Sequence, residues 1–309
     1  MRNETMETNS AEVIPFDRSL VTVPGKQEAT RSVSPFPDNS PLYFPVESRS
    51  VCVNDAEGLP QSASGYQAIV RTDTNAVLGI HGRGYKVVPN EPLFRGFDEA
   101  LQASDLDLSG LTIDDHVNYG GRRVIRHYRF PTITAEPRIG DVVELRISVI
   151  NSFDSGNAFA AQVGGMRLWC LNGAVSLQGS ASVYGRHTSG FDNARALTKI
   201  NEAIERYLVA ATDWSEWSQR ELTSLQAQTA LEVFPDLNPT LLQRLEQAWT
   251  IESDHAGNTV WALYNAATRW STHTPVRQSS EPNRASIVMD RERRVRQFMH
   301  SRAFKKLAA

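Results

Sequence analysis

The chain has 309 residues, 40% of them hydrophobic and 22% charged, enough to bury a core in one large domain or two modest ones. No apolar run approaches the roughly 20 residues of a membrane span, and the polar start MRNETMETNSAEV lacks a signal-type apolar segment, so the expected compartment is the cytoplasm. Two cysteines, Cys52 and Cys170, are too few for a disulfide framework or a structural zinc site, and a net charge of −3 speaks against indiscriminate coating of nucleic acid while leaving room for a local basic site.

Residues 1–64 are rich in Pro, Ser, Asn and Glu without sustained periodicity, and read as a flexible or loosely attached segment. Leu42-Tyr43-Phe44 and Val51-Cys52-Val53 are apolar islands able to add a strand or clip onto a core. This head is acidic: within residues 1–60, Arg2, Arg18, Lys26, Arg31 and Arg49 stand against nine acids. Tyr66 to Ile80 reads as a hairpin turning at Asp73-Thr74-Asn75. Gly79, Gly82 and Gly84 surround His81 and Arg83, but Tyr85-Lys86-Val87 follows where a phosphate loop needs Gly-Lys-Ser/Thr, so the glycines are read as shaping a turn. Arg83 and Lys86 remain able to face a phosphate chain. Asn90 is placed as the cap of a helix with Pro92 in its first turn and Phe94, Phe97 and Leu101 on one face. Asp105, Asp107, Asp114 and Asp115, with His116, read as a solvated acidic loop without metal-ligand spacing.

The strand RRVIRHYRF after Gly120-Gly121 carries Arg122, Arg123, Arg126, His127 and Arg129 with Tyr128 and Phe130 interleaved. Cations for phosphates and rings for base stacking are what a single strand of nucleic acid asks of a surface. The competing reading is a strand whose arginines deter edge pairing or meet acids on a neighbour. From Asp141 to Ala174 the chain reads as two strands joined by the turn NSFDSGN. Val143, Leu145, Ile147 and Val149 alternate with Glu144, Arg146 and Ser148, the period of a half-buried strand. The return strand has Phe159, Ala161 and Val163, then Gly164-Gly165, then Met166, Leu168 and Cys170. The glycine pair suggests a bulge or a close approach, and beyond it Arg167 and Trp169 fall on the face opposite the apolar set.

From Asp192 the period becomes helical. Four helices are expected: one capped by Asp192, one from about Trp214 to Phe234, one opened by Asn238-Pro239, and one over about Thr259–Thr272. Their tryptophans are read as packing residues. A polar linker then leads to a basic amphipathic helix, about Asp290 to Leu307, with Val295, Phe298, Met299 and Phe304 among Arg291, Arg293, Arg294, Arg296, Arg302, Lys305 and Lys306.

The fold expected is α+β: a twisted, mostly antiparallel sheet over 65–190, helices over 192–273 packed on it, and residues 276–309 as linker and basic helix. Three stretches, GIHGRGYKVVPNEPLF (79–94), NSFDSGNAF with MRLWCLNGAV (151–175), and WALYNAATRWSTHT (261–274), together resemble the phage- and plasmid-borne domain-of-unknown-function family 932. The resemblance implies a mobile-element context and, more loosely, a tie to the single-stranded-DNA-binding cofactors of phages that carry their own RNA polymerases.

No nucleophile elbow, zinc motif, P-loop or dinucleotide fingerprint is present, so neither catalysis nor a cofactor is expected. The leading expectation is a single-stranded DNA-binding protein for replication, recombination or transcription, with a phage RNA polymerase or replication protein as further partner. Arg122, Arg123, Arg126, Arg129 and Arg167 would hold phosphates, Tyr128 and Trp169 would stack bases, and Lys86, Arg293, Arg294, Arg296, Lys305 and Lys306 would extend the site. A metal-dependent nuclease using Asp141 and Asp154, and a protein acting on a host factor through its basic tail, are the alternatives. Self-association is expected only from the amphipathic tail.

Overall fold

A computed structural model describes residues 21–22, 34–155, 160–168, 172–175 and 193–309 of the chain. Its strands are β1 (Val21–Thr22), β2 (Val46–Asn54), β3 (Pro60–Arg71), β4 (Ala76–Gly82), β5 (Thr112–Asn118), β6 (Arg123–Arg138), β7 (Asp141–Ser152), β8 (Ala160–Arg167) and β9 (Asn172–Val175), with helix α1 (Asn90–Ala103) between β4 and β5. The helices α2 (Asn193–Gln219), α3 (Ser224–Leu231), α4 (Pro239–Ala256), α5 (Val260–His273), α6 (Arg284–Met299) and α7 (Arg302–Ala308) follow. All described strand pairings are antiparallel, in one six-stranded sheet ordered β1-β6-β7-β8-β9 with β5 also on β6, and one three-stranded sheet ordered β2-β3-β4. Strands first and helices afterwards give the α+β class.

The β7–β8 hairpin is the spine of the larger sheet. One face of β6 and β7 carries Val124, Tyr128, Phe130, Val143, Leu145, Ile147 and Val149, all buried. Helix α1 covers it through Phe97, whose ring lies 5.1 Å from that of Tyr128, and α2 through Tyr207, whose hydroxyl donates to the Val143 carbonyl at 2.5 Å. The other face is not solvated, as simple alternation suggests, but lies under α6. Ile125 and Ile150 pack on Ala285 and Met289, and Arg146 is paired to Glu292 at 2.7 Å.

Several expectations change at the ends. The described part of the N-terminal segment is attached: β2 and β3 form a hairpin, and Leu42 and Phe44 are buried in the core. Asn90 is not a cap, since Pro89 holds that position. Its amide instead donates to the Leu42 carbonyl, and its oxygen accepts from Asn151 at 2.8 Å, tying two distant segments together. The second half of the acidic loop, with Asp114, Asp115 and His116, is a strand, β5, while Asp105 and Asp107 lie before it. Trp214 opens no new helix: it and Trp217 close α2, and α3 starts later behind a Thr223–Gln226 capping box. Asn238 and Thr259 cap α4 and α5 as their residue types predict. The expected linker holds a 3-10 turn, Gln278–Asn283, and the start of α6. The basic helix breaks at His300, with Ser301 capping α7.

Candidate nucleic-acid interface

The basic strand spends much of its charge inside the molecule. Strand period two puts Arg126 and Tyr128 on the same face as Val124 and Phe130, the face under α1. There Arg126 is fully buried. Its Nε and Nη2 donate to Asp115 at 2.7 and 2.8 Å, and its Nη1 donates to Asp98 at 2.9 Å and to the Tyr43 hydroxyl at 3.2 Å. Asp115 stands directly across the ladder from Arg126. Tyr128, also fully buried, donates its hydroxyl to Asp98 at 2.6 Å. Burial lifts the Asp98 carboxyl above its usual range against the bonds from Tyr128 and Arg126. Burial opposes the charge of Arg126, yet the hydrogen bond to Asp115 and the surrounding oxygens raise its pKa. Neither residue presents its charge or ring to a ligand, which corrects the expected site. Arg129, half-buried, is shared between Asp114 at 3.3 Å and Glu144 at 3.4 Å. Two of the acids assigned to a solvated loop, Asp114 and Asp115, are counter-charges of this strand.

Arg167 is corrected for a different reason. The β7–β8 ladder runs unbroken from Val143↔Arg167 to Ile150↔Ala160, so Gly164-Gly165 forms no bulge and the side-chain phase never switches. Arg167 therefore shares the inward face of Ala161 and Val163. The glycines mark the close approach instead: a Cβ on Gly165 would collide with Val143 and come within 3.3 Å of the Trp214 ring. Arg167 is fully buried, forked onto Asp141 and bonded to Glu252 at 2.6 Å. Trp261 donates its indole N–H to Asp141 at 2.8 Å, and Arg269 reaches Glu252 at 3.4 Å. Trp169 and Cys170 lie outside the described residues. Asp141 is thus committed to a buried ion pair and Asp154 to Arg123 at 2.9 Å. Among the described residues, no group of three or more His, Cys, Asp or Glu is arranged to hold a metal ion.

The C-terminal cations divide. Arg294 lies over the rings of Trp270 and Phe234 and donates to the Pro235 carbonyl at 2.6 Å, a packing role. Arg296 is half-buried, and Arg293 is exposed with Asp290 at 3.0 Å. Lys305 and Lys306 are exposed on α7. Val295, Phe298, Met299 and Phe304 are buried in the main core, so the apolar stripe expected to seek a partner is already covered by its own chain.

A second group of exposed cations lies where the two sheets meet. His81 Nε2 bonds the Phe153 carbonyl at 2.6 Å, and the Phe153 N–H donates to the Arg122 carbonyl at 2.8 Å. The His81 ring is stacked on Tyr85 at 3.9 Å, and Gln67 holds the Tyr85 carbonyl at 2.6 Å. Gly79 is required there, because a Cβ would collide with the Phe153 carbonyl oxygen. This frame presents Arg83, Lys86 and Arg122 to solvent, with Tyr66 and Tyr119 exposed at 57% and 38%. A Cβ at Gly84 or Gly120 would meet nothing, so the backbone is open beside these cations. Arg123 pairs with Asp154 and lies 5.2 Å over the Tyr119 ring. Tyr119 takes φ of +52° in its turn, unusual for a bulky residue, and the Gly120-Gly121 pair that follows was the available sequence signal of that turn. Tyr66, exposed in the middle of β3, gave none.

Fold and surface define an α+β protein with ion pairs buried on the inner face of its main sheet and a small basic, aromatic rim between its two sheets. A family model described as domain of unknown function, DUF932, matches residues 77–296, and the chain belongs to that family. No curated protein and no solved structure matches it. The first two motif stretches, around His81 and around Phe153, meet at the rim. The third, on α5, meets the start of β7 through Trp261 and Asp141.

Proposed function

We propose that this protein binds single-stranded DNA at the rim between its two sheets, in a replication, recombination or transcription step of a mobile genetic element, recruitment of a phage RNA polymerase among them. One observation carries the reading: Arg83, Lys86 and Arg122 share a rigid frame with the exposed rings of Tyr66 and Tyr119. Cations that track a backbone, with rings that accept bases at about 1–3 kcal/mol each, are the elements of sequence-tolerant strand binding. The mobile-element setting follows the family resemblance. The test is fluorescence anisotropy with a labelled single-stranded oligonucleotide at low salt, with duplex as competitor. Binding should weaken about tenfold or more on Tyr66→Ala, within the range for one stacked base, and also fall on Arg122→Ala. A signal that is absent at low salt, or that these two variants leave unchanged, overturns the proposal.

A further inference from the structure

We infer that Ser155 is a nucleophile activated by His81, and that its substrate class is the phosphodiester of a bound strand. The Phe153 carbonyl can only accept, so the 2.6 Å contact fixes the proton of a neutral His81 on Nε2 and leaves Nδ1 as an acceptor. Ser155 Oγ lies 3.2 Å from that Nδ1, within donating distance. Nucleophile, base and a third group that orients the base are therefore in order, the arrangement that activates a serine hydroxyl. The base is rigid: it is buried, stacked on Tyr85, and Gly79 leaves no slack behind it. The nucleophile is exposed, and it holds φ of +60°, a conformation that a serine rarely keeps without cause and that recurs at functional turns.

The surroundings select the substrate. Arg83 follows His81 by two residues and is exposed, as is Arg122, whose carbonyl accepts from the Phe153 N–H, so exposed cations flank the backbone that carries the pair and a phosphate ester is favoured over a neutral acyl group. In the step, Ser155 Oγ attacks phosphorus as its proton passes to His81 Nδ1. The Oγ–P bond forms, one P–O bond to deoxyribose breaks, and His81 returns the proton to the departing sugar oxygen. The products are a serine-linked strand end and a free hydroxyl, which can reverse the step. No metal or oxidant enters the balance. The inference rests on the proposed binding of single-stranded DNA only for delivery of the phosphate.

The experiment has two arms. First, the whole protein is treated with a fluorophosphonate probe, whose fluoride leaves as Oγ–P forms, and the label is mapped by mass spectrometry. Ser155 should be labelled, Ser155→Ala should not, and His81→Gln should react about a hundredfold more slowly, the least expected of a lost general base. Ser155→Ala leaves the His81–Phe153 bond in place, so it reads the nucleophile even where His81→Gln fails to fold. Second, an end-labelled single strand is incubated with the protein and run under denaturing conditions, where a protease-sensitive adduct at Ser155 is expected. Failure of the probe to label Ser155 overturns the inference whatever anisotropy reports. Labelling without an adduct on DNA that anisotropy shows to be bound overturns the phosphodiester as substrate. Labelling with no DNA binding at all removes the strand reading and its substrate together, and leaves an activated serine.

Discussion

Arg126 shows how the same residue type means different things inside a strand and in the turn that leads into it. Its guanidinium is shared by Asp98 and Asp115 with no exposure. Removing it strands two carboxylates in the interior, and breaking a buried pair costs about 3–5 kcal/mol. Arg126→Ala should therefore lower the unfolding free energy, read from a denaturant melt, by that amount. Arg122→Ala, four residues earlier and exposed, should leave the unfolding free energy within about 0.5 kcal/mol while weakening DNA binding. Equal loss of stability in the two variants would contradict the burial assigned to them. Arg126 was legible as a cation on a strand and not as a core residue. Its acids are 11 and 28 positions away, and only the β5–β6 register and the docking of α1 bring them to it.

At the scale of elements, the local signals were strong where the chemistry is local. The Asn238-Pro239 start of α4 and the Thr259 cap of α5 each follow from side chains bonding their own backbone. The phase of β8 was not local. A glycine pair is compatible with a bulge or with a close approach, and what decides between them is the β7–β8 register, which sets Gly165 against the Val143 side chain and under the Trp214 ring of α2. The seating of α6 on the sheet leaves a measurable trace in His127. Burial, then Arg146, His116 and Arg129, hold its pKa well below the ordinary 6.5, and burial lowers His116 as well. The unfolded chain takes up these protons near pH 6.5 while the folded one does not. Stability is thus fully present above that pH and is lost as pH falls toward the depressed values. Asp213, pushed up to about 6 by burial and then Glu216, acts in the opposite sense as pH falls. The informative quantity is therefore the difference between wild type and His127→Gln in thermal midpoints from pH 7.5 to 5. The wild type should lose more on acidification, and parallel curves would refute the assignment. The other end of the same layer gives a simpler check. Phe304 of α7 is fully buried, its ring 5.3 Å from Trp217 and 5.2 Å from Phe298. Phe304→Ala should cost about 3–5 kcal/mol by denaturant melt, whereas a dispensable tail would register almost nothing.

Across the whole molecule, the charge that would meet a nucleic acid is much smaller than the count of arginines implies. Arg126 and Arg167 are neutralised inside, Arg123, Arg129 and Arg294 are paired or packed, and the formal net charge is −3. Binding at the rim would rest on Arg83, Lys86 and Arg122. Each phosphate neutralised on a single strand contributes about −0.7 to the slope of log K against log salt, so three give about −2. A protein using the full stripe of basic residues would show a far steeper line. The slope, measured by anisotropy between about 20 and 200 mM salt, should lie near −2, and each of Arg83→Ala, Lys86→Ala and Arg122→Ala should flatten it by about 0.7. A steep slope left unchanged by these substitutions but reduced by removing Lys305 and Lys306 would move the binding surface to α7. A slope near zero would mean that stacking alone holds the strand, and Tyr66→Ala would then abolish binding rather than weaken it.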